Sequence, residues 1–448
     1  MREAARHLPV FGEFDVVVLG AGPSGMAAAV SAARRGARTA LVERYGFAGG
    51  MGTAGGVTNF AGLYAPIAGE MVQVVRGVVD ELLERIDRLD GLNAPQLGLQ
   101  GRIQVRSYDV SAYKCAADEW LLAAGVQPLF HAQAAAVLGE AERIEALVVE
   151  TRSGRQAMRA RCFIDCSGDG ELAAFAGVPF DKGDGQGGAL FPTTMFRVGG
   201  VDAERALAAI GTFGAIDALM DEAARAGRYR FPRRGAIVRP QKNPTQWRVN
   251  VTQIRNARGL AMDATDARQL SAGEVEGRRQ VRAYFEFLRA EVPGFERCEI
   301  VEIAPQVGVR ETRRIRGRYA LTGEDVVGCA RFADAIGVNA WPMEMHVAGG
   351  VDWAFHRDRD AAFNQLPWRM LVPGRGPRNL LVAGRCASMT HEGQSAARAS
   401  GGCFAMGQAA GTAAAIALAG GSGDGAADVD PAALRAALAA DGAWLGDR

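Results

Sequence analysis

Gly20, Gly22 and Gly25, with Pro23 and Ser24 between the last two, form a G-x-G-x-x-G turn directly after an apolar run at 16–19. A small-residue helical pattern continues to Gly36, and a second apolar run, 39–42, ends on Glu43. This is the strand–turn–helix–strand–acid order of a dinucleotide-binding unit. Gly20 serves the tight turn. Gly22, without a Cβ, lets the backbone approach a pyrophosphate, and Gly25 lets helix pack on strand. The phosphates meet free N–H groups at a helix N-terminus. Glu43 has the spacing of a carboxylate that binds ribose hydroxyls and repels a 2′-phosphate; Arg44 beside it is the one feature that favours such a phosphate. The pattern reads as dinucleotide and, by itself, chooses neither NAD nor FAD.

Other residues are suited to moving protons or holding anions. His346, in WPMEMH, and His391, before Glu392, titrate in the range of acid–base work. Arg310, Arg313, Arg314 and Arg316 are clustered. A guanidinium fork holds a carboxylate at two points and keeps its charge, which suits an anionic substrate. The alternative is a structural ion-pair set with Glu311 or Glu324. The arginine-rich stretch 228–239 reads as a solvated face.

These residues need a scaffold. At 448 residues the chain is long for one core, so two domains are expected. The formal net charge of +1 points to neither nucleic acid nor an anionic membrane. The start, MREAARHLPVFGEFDVVV, has no apolar signal region, so a cytoplasmic location is expected. The seven cysteines form no C-x-x-C and read as buried thiols; the histidines show no metal-ligand spacing. Residues 403–420 are apolar enough to mimic a membrane span. Their alanines, glycines and Gln408 fit a buried helix better, so no transmembrane segment is expected.

Periodicity predicts a glycine-rich loop at 46–57 and an amphipathic helix at 69–88. It predicts a second helix at 109–124, then strands at 126–130, 134–138, 144–151 and 156–168 as a β-meander. Arginines and aromatics rise from about 186, where 275–292 reads as a helix and 300–310 as a buried strand. The first character returns with the strand 379–385 and a long small-residue helix. The expected fold is α/β: a Rossmann-like domain (a βαβ parallel sheet with a β-meander) and an inserted mixed β/α substrate domain. The parts are 1–185 and 368–421 for the first domain, 186–367 for the insertion, and 422–448 for a peripheral tail helix.

Seven motifs in order, spanning about 14–418, carry a resemblance. They include the fingerprint, GGMGTAGGV (49–57), FIDCSGDGELAAFAGVPF (163–180), APQVGVRETRRIRGRYALTGEDV (304–326), WPMEMH (341–346), LPWRMLVPGRGPRNLLVAGRCASMTHEG (366–393) and ARASGGCFAMGQAAGTAAA (397–415). The chain resembles the FAD-dependent oxidoreductases of the glutathione-reductase-like superfamily. The resemblance implies FAD. Gly20, Gly22, Pro23, Ser24 and Gly25 would cradle its pyrophosphate and Glu43 its ribose. Arg44, Gly50, Met51 and Thr53 would follow it toward the ribityl end. Ala134 would touch adenine, and Ser167, Gly168 and Asp169 the adenosine and pyrophosphate side. Gly384, Arg385, Gly402 and Gly407 would line the ribityl chain and flavin, although glycines at 401–420 also serve helix packing.

The resemblance places His346 and His391 near the flavin. The chain lacks paired redox cysteines and a second G-x-G-x-x-G for NAD(P)H, and Gly384-Arg385 replaces the Gly-Asp-Ala of aromatic hydroxylases. The expected activity is dehydrogenation of a small organic substrate, anionic if the arginines bind it, by hydride transfer to flavin N5. His346 or His391 is the base and Arg310 and Arg313 are its anion partners. Oxygen, a quinone or a redox partner would take the electrons. The alternatives are a non-redox flavoenzyme (hydratase or isomerase), a monooxygenase and a non-catalytic FAD-binding protein.

Overall fold

The computed structural model describes residues 6–211, 215–420 and 425–447. The expected boundary at 421–422 lies outside them. β1 (Val10–Leu19) runs into α1 (Pro23–Arg34), which returns to β2 (Thr39–Val42). Val16, Val17 and Val18 are fully buried, as a strand covered on both faces requires. α2 (Val78–Arg88) and α3 (Val110–Ala123) follow, then β3 (Gln127–Leu129), β4 (Gln133–Glu140), β5 (Arg143–Thr151) and β6 (Gly154–Asp165). β3, β2, β1 and β6 are parallel neighbours, with Val16 facing Thr39 on one side and Cys162 on the other. β4, β5 and the first half of β6 form the antiparallel meander.

Two expectations are corrected here. The strand near 126–130 belongs to the parallel sheet, not to the meander. The helix expected over 69–88 covers only its second half. Glu70–Gln73 is a strand paired with Tyr64–Ile67, and α2 begins after Gly77, which sits at φ +89°. Valines at 72 and 75 satisfy helical spacing but also favour strand.

A second, separate core gathers around β7 (Phe196–Gly199), β8 (Ile237–Pro240), β9 (Trp247–Asn250), α4 (Ala267–Glu291) and β10 (Glu299–Ile303). The sheet order is β8-β9-β7-β10, all antiparallel. β10 is an edge strand and half-exposed, so the buried strand expected over 300–310 is shorter and less covered. From Ile315 the chain packs into the first core again, through Leu321, Ile336, Val338 and Leu366.

The last strand, β11 (Leu380–Val382), pairs in parallel with the second half of β6, where the meander has left that edge free. α5 (His391–Ala397) and α6 (Ser400–Ala419) follow. α6 is apolar and long enough to cross a membrane, yet 78% of its apolar window is buried. It lies on α1, where a Cβ on Gly407 or Gly411 would overlap the backbone oxygen of Ser24 or Ala28. The small residues are the condition for this close approach. α7 (Pro431–Ala440) docks on the same core through the fully buried Leu434 and Leu438.

Candidate active site

The turn after β1 places the fingerprint at one end of a cavity of about 470 Å³. Gly20 has φ +94°, and a Cβ there would lie 2.5 Å from the Cys166 carbonyl oxygen. A Cβ on Gly25 would overlap the Gly20 carbonyl oxygen. A Cβ on Gly22 would meet nothing closer than the Gly50 Cα at 3.7 Å, so its face is open to the cavity. No side chain caps α1 and no acid stands in its first turn, so its N–H groups remain available to an anion. These features fit a pyrophosphate. Glu43 is buried at the cavity wall and accepts from the backbone N–H of Ala21 (2.7 Å) and Tyr45 (3.0 Å). Burial pushes its carboxyl up, and these two donors oppose that.

Of the residues expected to hold the cofactor, Gly20, Gly22, Pro23, Ser24, Glu43, Arg44, Gly50, Met51, Ala134, Ser167, Gly168 and Arg385 line this cavity. The others stand behind the wall. Gly25 packs on the turn. Thr53 donates to the carbonyl oxygens of Ala48 (2.8 Å) and Gly50 (3.2 Å), holding the loop. Asp169 accepts from Arg385 (2.9 Å), Thr312 (3.0 Å) and Arg44 (3.4 Å). Gly384 makes room for Ser24, Gly402 for the Ala397 backbone and Gly407 for that of Ser24.

Glu171, inside the motif 163–180 but given no role there, also lines this end. Burial, then the field of Asp169, pushes its carboxyl up to about 7. The folded chain therefore holds this proton more tightly than the unfolded one, whose carboxyl titrates near 4.5. Stability falls as pH rises through that window. Glu171→Gln should remove the loss: the Tm of the apo variant minus that of the apo wild type is expected to grow from pH 5 to pH 8. A difference that is flat or shrinks over this range would contradict the assignment.

The other end of the cavity is built by the second sheet and by residues 308–353. Arg239 on β8 faces Arg248 on β9 in register, and both are buried. They line the wall with Thr193, Asn250, Arg310, Glu344, His346 and Arg398. Trp341 and Trp353, with ring centroids 6.0 Å apart, form an apolar wall with Ile103 and Val105. Burial and Arg248 lower Arg239 to about 9, and burial lowers Arg248 to about 10; both stay charged at neutral pH.

His346 is 4% exposed and its Nε2 lies 3.2 Å from Glu344 Oε1. A neutral ring that donates Nε2–H to this carboxylate carries its lone pair on Nδ1. Burial, then Arg310, holds His346 well below the usual histidine range, while Glu344 opposes them. Glu344 is itself held low by His346, Arg398 and Arg310 against the effect of burial.

The arginine cluster read from sequence is divided by the fold. Arg310 lines the cavity and donates to the Phe191 carbonyl oxygen. Arg313 donates to the Asp169 carbonyl oxygen (3.0 Å), outside the lining. Arg314 pairs with buried Glu311, and Arg316 with Asp181. His391 hydrogen-bonds Glu311 through Nδ1 (2.8 Å) and is not in the cavity wall. The stretch 228–239, expected to be solvated, holds Arg233 and Arg239 at 2% and 5% exposure. The missed signal was local: Arg239 and Arg248 each interrupt an apolar strand, IVRP and WRVN.

Among curated proteins, a dihydrolipoyl dehydrogenase of Trypanosoma brucei brucei is 51% identical over 45 residues, about 10% of this chain and 9% of that protein. The fold is similar to that of a geranylgeranyl bacteriochlorophyll reductase-like protein of Thermoplasma acidophilum. There the TM-score is 0.48 and identity 13%, over 96% of this chain and 83% of that one. It is also similar to p-nitrophenol 4-monooxygenase of Pseudomonas putida, with a TM-score of 0.42 and 12% identity over 98% and 90%. The sequence profile of the FAD dependent oxidoreductases matches residues 15–438, nearly the whole chain. The open glycine cradle, the uncapped helix and the buried acid fit FAD, and the chain, an α/β flavoprotein, belongs to the FAD dependent oxidoreductase family.

Proposed function

We propose that this oxidoreductase dehydrogenates a small anionic organic substrate in the cytoplasm, within the glutathione-reductase-like superfamily of flavoproteins. We take 186–367 as its substrate-binding portion, because Thr193, Arg239, Arg248, Arg310, Glu344 and His346 all come from it. The observation that carries the reading is His346, neutral and fixed by Glu344, in the same cavity as the fingerprint and beside Arg310. Bound FAD supplies the two-electron acceptor. Arg310 and Arg248 hold the substrate's anionic group. His346 Nδ1 takes the proton from the carbon-bound hydroxyl or amine as its hydride leaves. A bound anion offsets the field of Arg310, so substrate itself raises the basicity of His346. Oxygen, a quinone or a redox partner then reoxidises the enzyme.

Anaerobic visible absorption, with hydroxy acids, amino acids and amines added in turn, tests this. Bleaching of the yellow protein by an anionic compound is the expected result. Bleaching by amines alone overturns the anionic substrate, and a protein that stays yellow with every compound overturns dehydrogenation in favour of a non-redox flavoenzyme.

A further inference from the structure

The arginine end carries more positive charge than one substrate carboxylate balances. Arg248 and Arg310 are 4% and 6% exposed in the cavity wall, and Arg398 lines it with its Nε and Nη2 buried and without a hydrogen-bond partner. Arg233, 2% exposed, lies close enough to repel Arg310. Among the described residues none of these four forms an ion pair within 4 Å. Their acceptors are neutral: the Val57 carbonyl oxygen for Arg248, that of Phe191 for Arg310, and Asn250 and the Gly235 carbonyl oxygen for Arg233. Glu344 is the carboxylate whose field reaches all four, and the exposed Asp217 adds to it at Arg233 alone. His346 contributes no positive charge, since it is neutral at pH 7.

Burial lowers these guanidinium groups, but a guanidinium keeps its proton at neutral pH, so titration does not relieve the charge there. Burying charge without a counter-ion is among the costliest arrangements in a protein interior. The cofactor's pyrophosphate does not answer it. That group belongs to the α1 end, where the lining arginines Arg44 and Arg385 are already paired with Asp169. Away from this end of the cavity, the buried arginine among the described residues, Arg314, is paired with Glu311. Trp341, Trp353, Ile103 and Val105 line the same cavity and give a wall for a carbon skeleton.

We propose, resting on the reading above, that the substrate carries at least two carboxylate groups on a short carbon skeleton. With Glu344, one carboxylate would leave two of these four guanidinium groups uncompensated; two or three leave one or none. Bidentate pairing adds the geometry that separates such an anion from chloride or a monoacid.

The test uses the FAD-loaded protein at pH 7.5, with sodium chloride holding ionic strength constant. The visible flavin spectrum is followed as sodium succinate, glutarate or citrate is added, and in parallel as sodium butyrate or valerate is added. The best di- or tricarboxylate is expected to half-saturate the change at a concentration at least about tenfold below the best monocarboxylate. Equal half-saturation, or no spectral change with any di- or tricarboxylate, overturns the proposal. Arg248→Gln and Arg398→Gln, checked for FAD content, are each expected to bring the ratio toward one. If a loaded variant keeps the full ratio, that arginine has no part in it, and if both keep it the proposal fails. Failure of the dehydrogenase reading is separate: a protein that prefers dicarboxylates but is never bleached retains the anion class and loses the reaction. One bleached by monocarboxylates without preference retains the reaction and loses the polycarboxylate class.

Discussion

His346→Gln is expected to lower turnover by about 10²–10⁴-fold with FAD still bound, the range attributable to a positioned general base. Glutamine retains a polar group beside Glu344 but cannot accept a proton at neutral pH. Glu344→Gln should cost less. It leaves the imidazole in place and removes the carboxylate that orients Nε2–H at 3.2 Å. The pH profile gives an independent sign. Below its pKa the ring is protonated and cannot act as base, so rate falls as pH falls. In the free enzyme that pKa is held well below 6.5 by burial and by Arg310. The acidic limb of kcat/KM therefore lies below pH 6.5, and the limb of kcat lies at higher pH, because bound anion offsets Arg310. Unchanged turnover in the glutamine variant would remove His346 from the mechanism. Coincident limbs would remove the coupling to substrate charge.

Gly25→Ala is expected to yield a protein that purifies colourless and melts well below the wild type. The added methyl overlaps the Gly20 carbonyl oxygen and lies 3.3 Å from the Cys166 Cβ. Both obstacles are on rigid elements, since Gly20 is itself pinned against Cys166 at φ +94°. The helix α1 must lift from the sheet to relieve the contact. Lifting it separates Ser24 and Ala28 from Gly407 and Gly411 on α6. Overpacking of this kind costs about 1–3 kcal/mol or more, and here the displaced atoms belong to the turn that fits the pyrophosphate. Gly350→Ala is the control, because nothing lies within 4 Å of its added methyl and its backbone is unstrained. Wild-type FAD content and Tm in the Gly25 variant would show that α1 does not depend on this contact.

The glycine fingerprint, β1, α1, β2 and α6 were legible in the sequence because their determinants are local. A residue without a Cβ, an apolar run and an acid at fixed spacing act within a few turns of chain. The roles of Gly402 and Gly407 were less so. A glycine needed for helix packing and one needed beside a ligand leave the same letter, and the contact of Gly407 with Ser24 spans most of the chain.

What the sequence by itself determined is thus the dinucleotide half of the site: the turn geometry, the open helix N-terminus and the buried Glu43. What only the tertiary structure decided is the arginine and histidine end of the cavity. Arg310 and Arg313 are three residues apart, yet one lines the cavity and the other holds the Asp169 backbone. Arg239 and Arg248, separated by a turn, and Arg398, far along the chain, come to the same cavity end as His346 and Glu344. Burial and the sum of charges around a cavity depend on which distant segments meet there, and no local spacing encodes that sum.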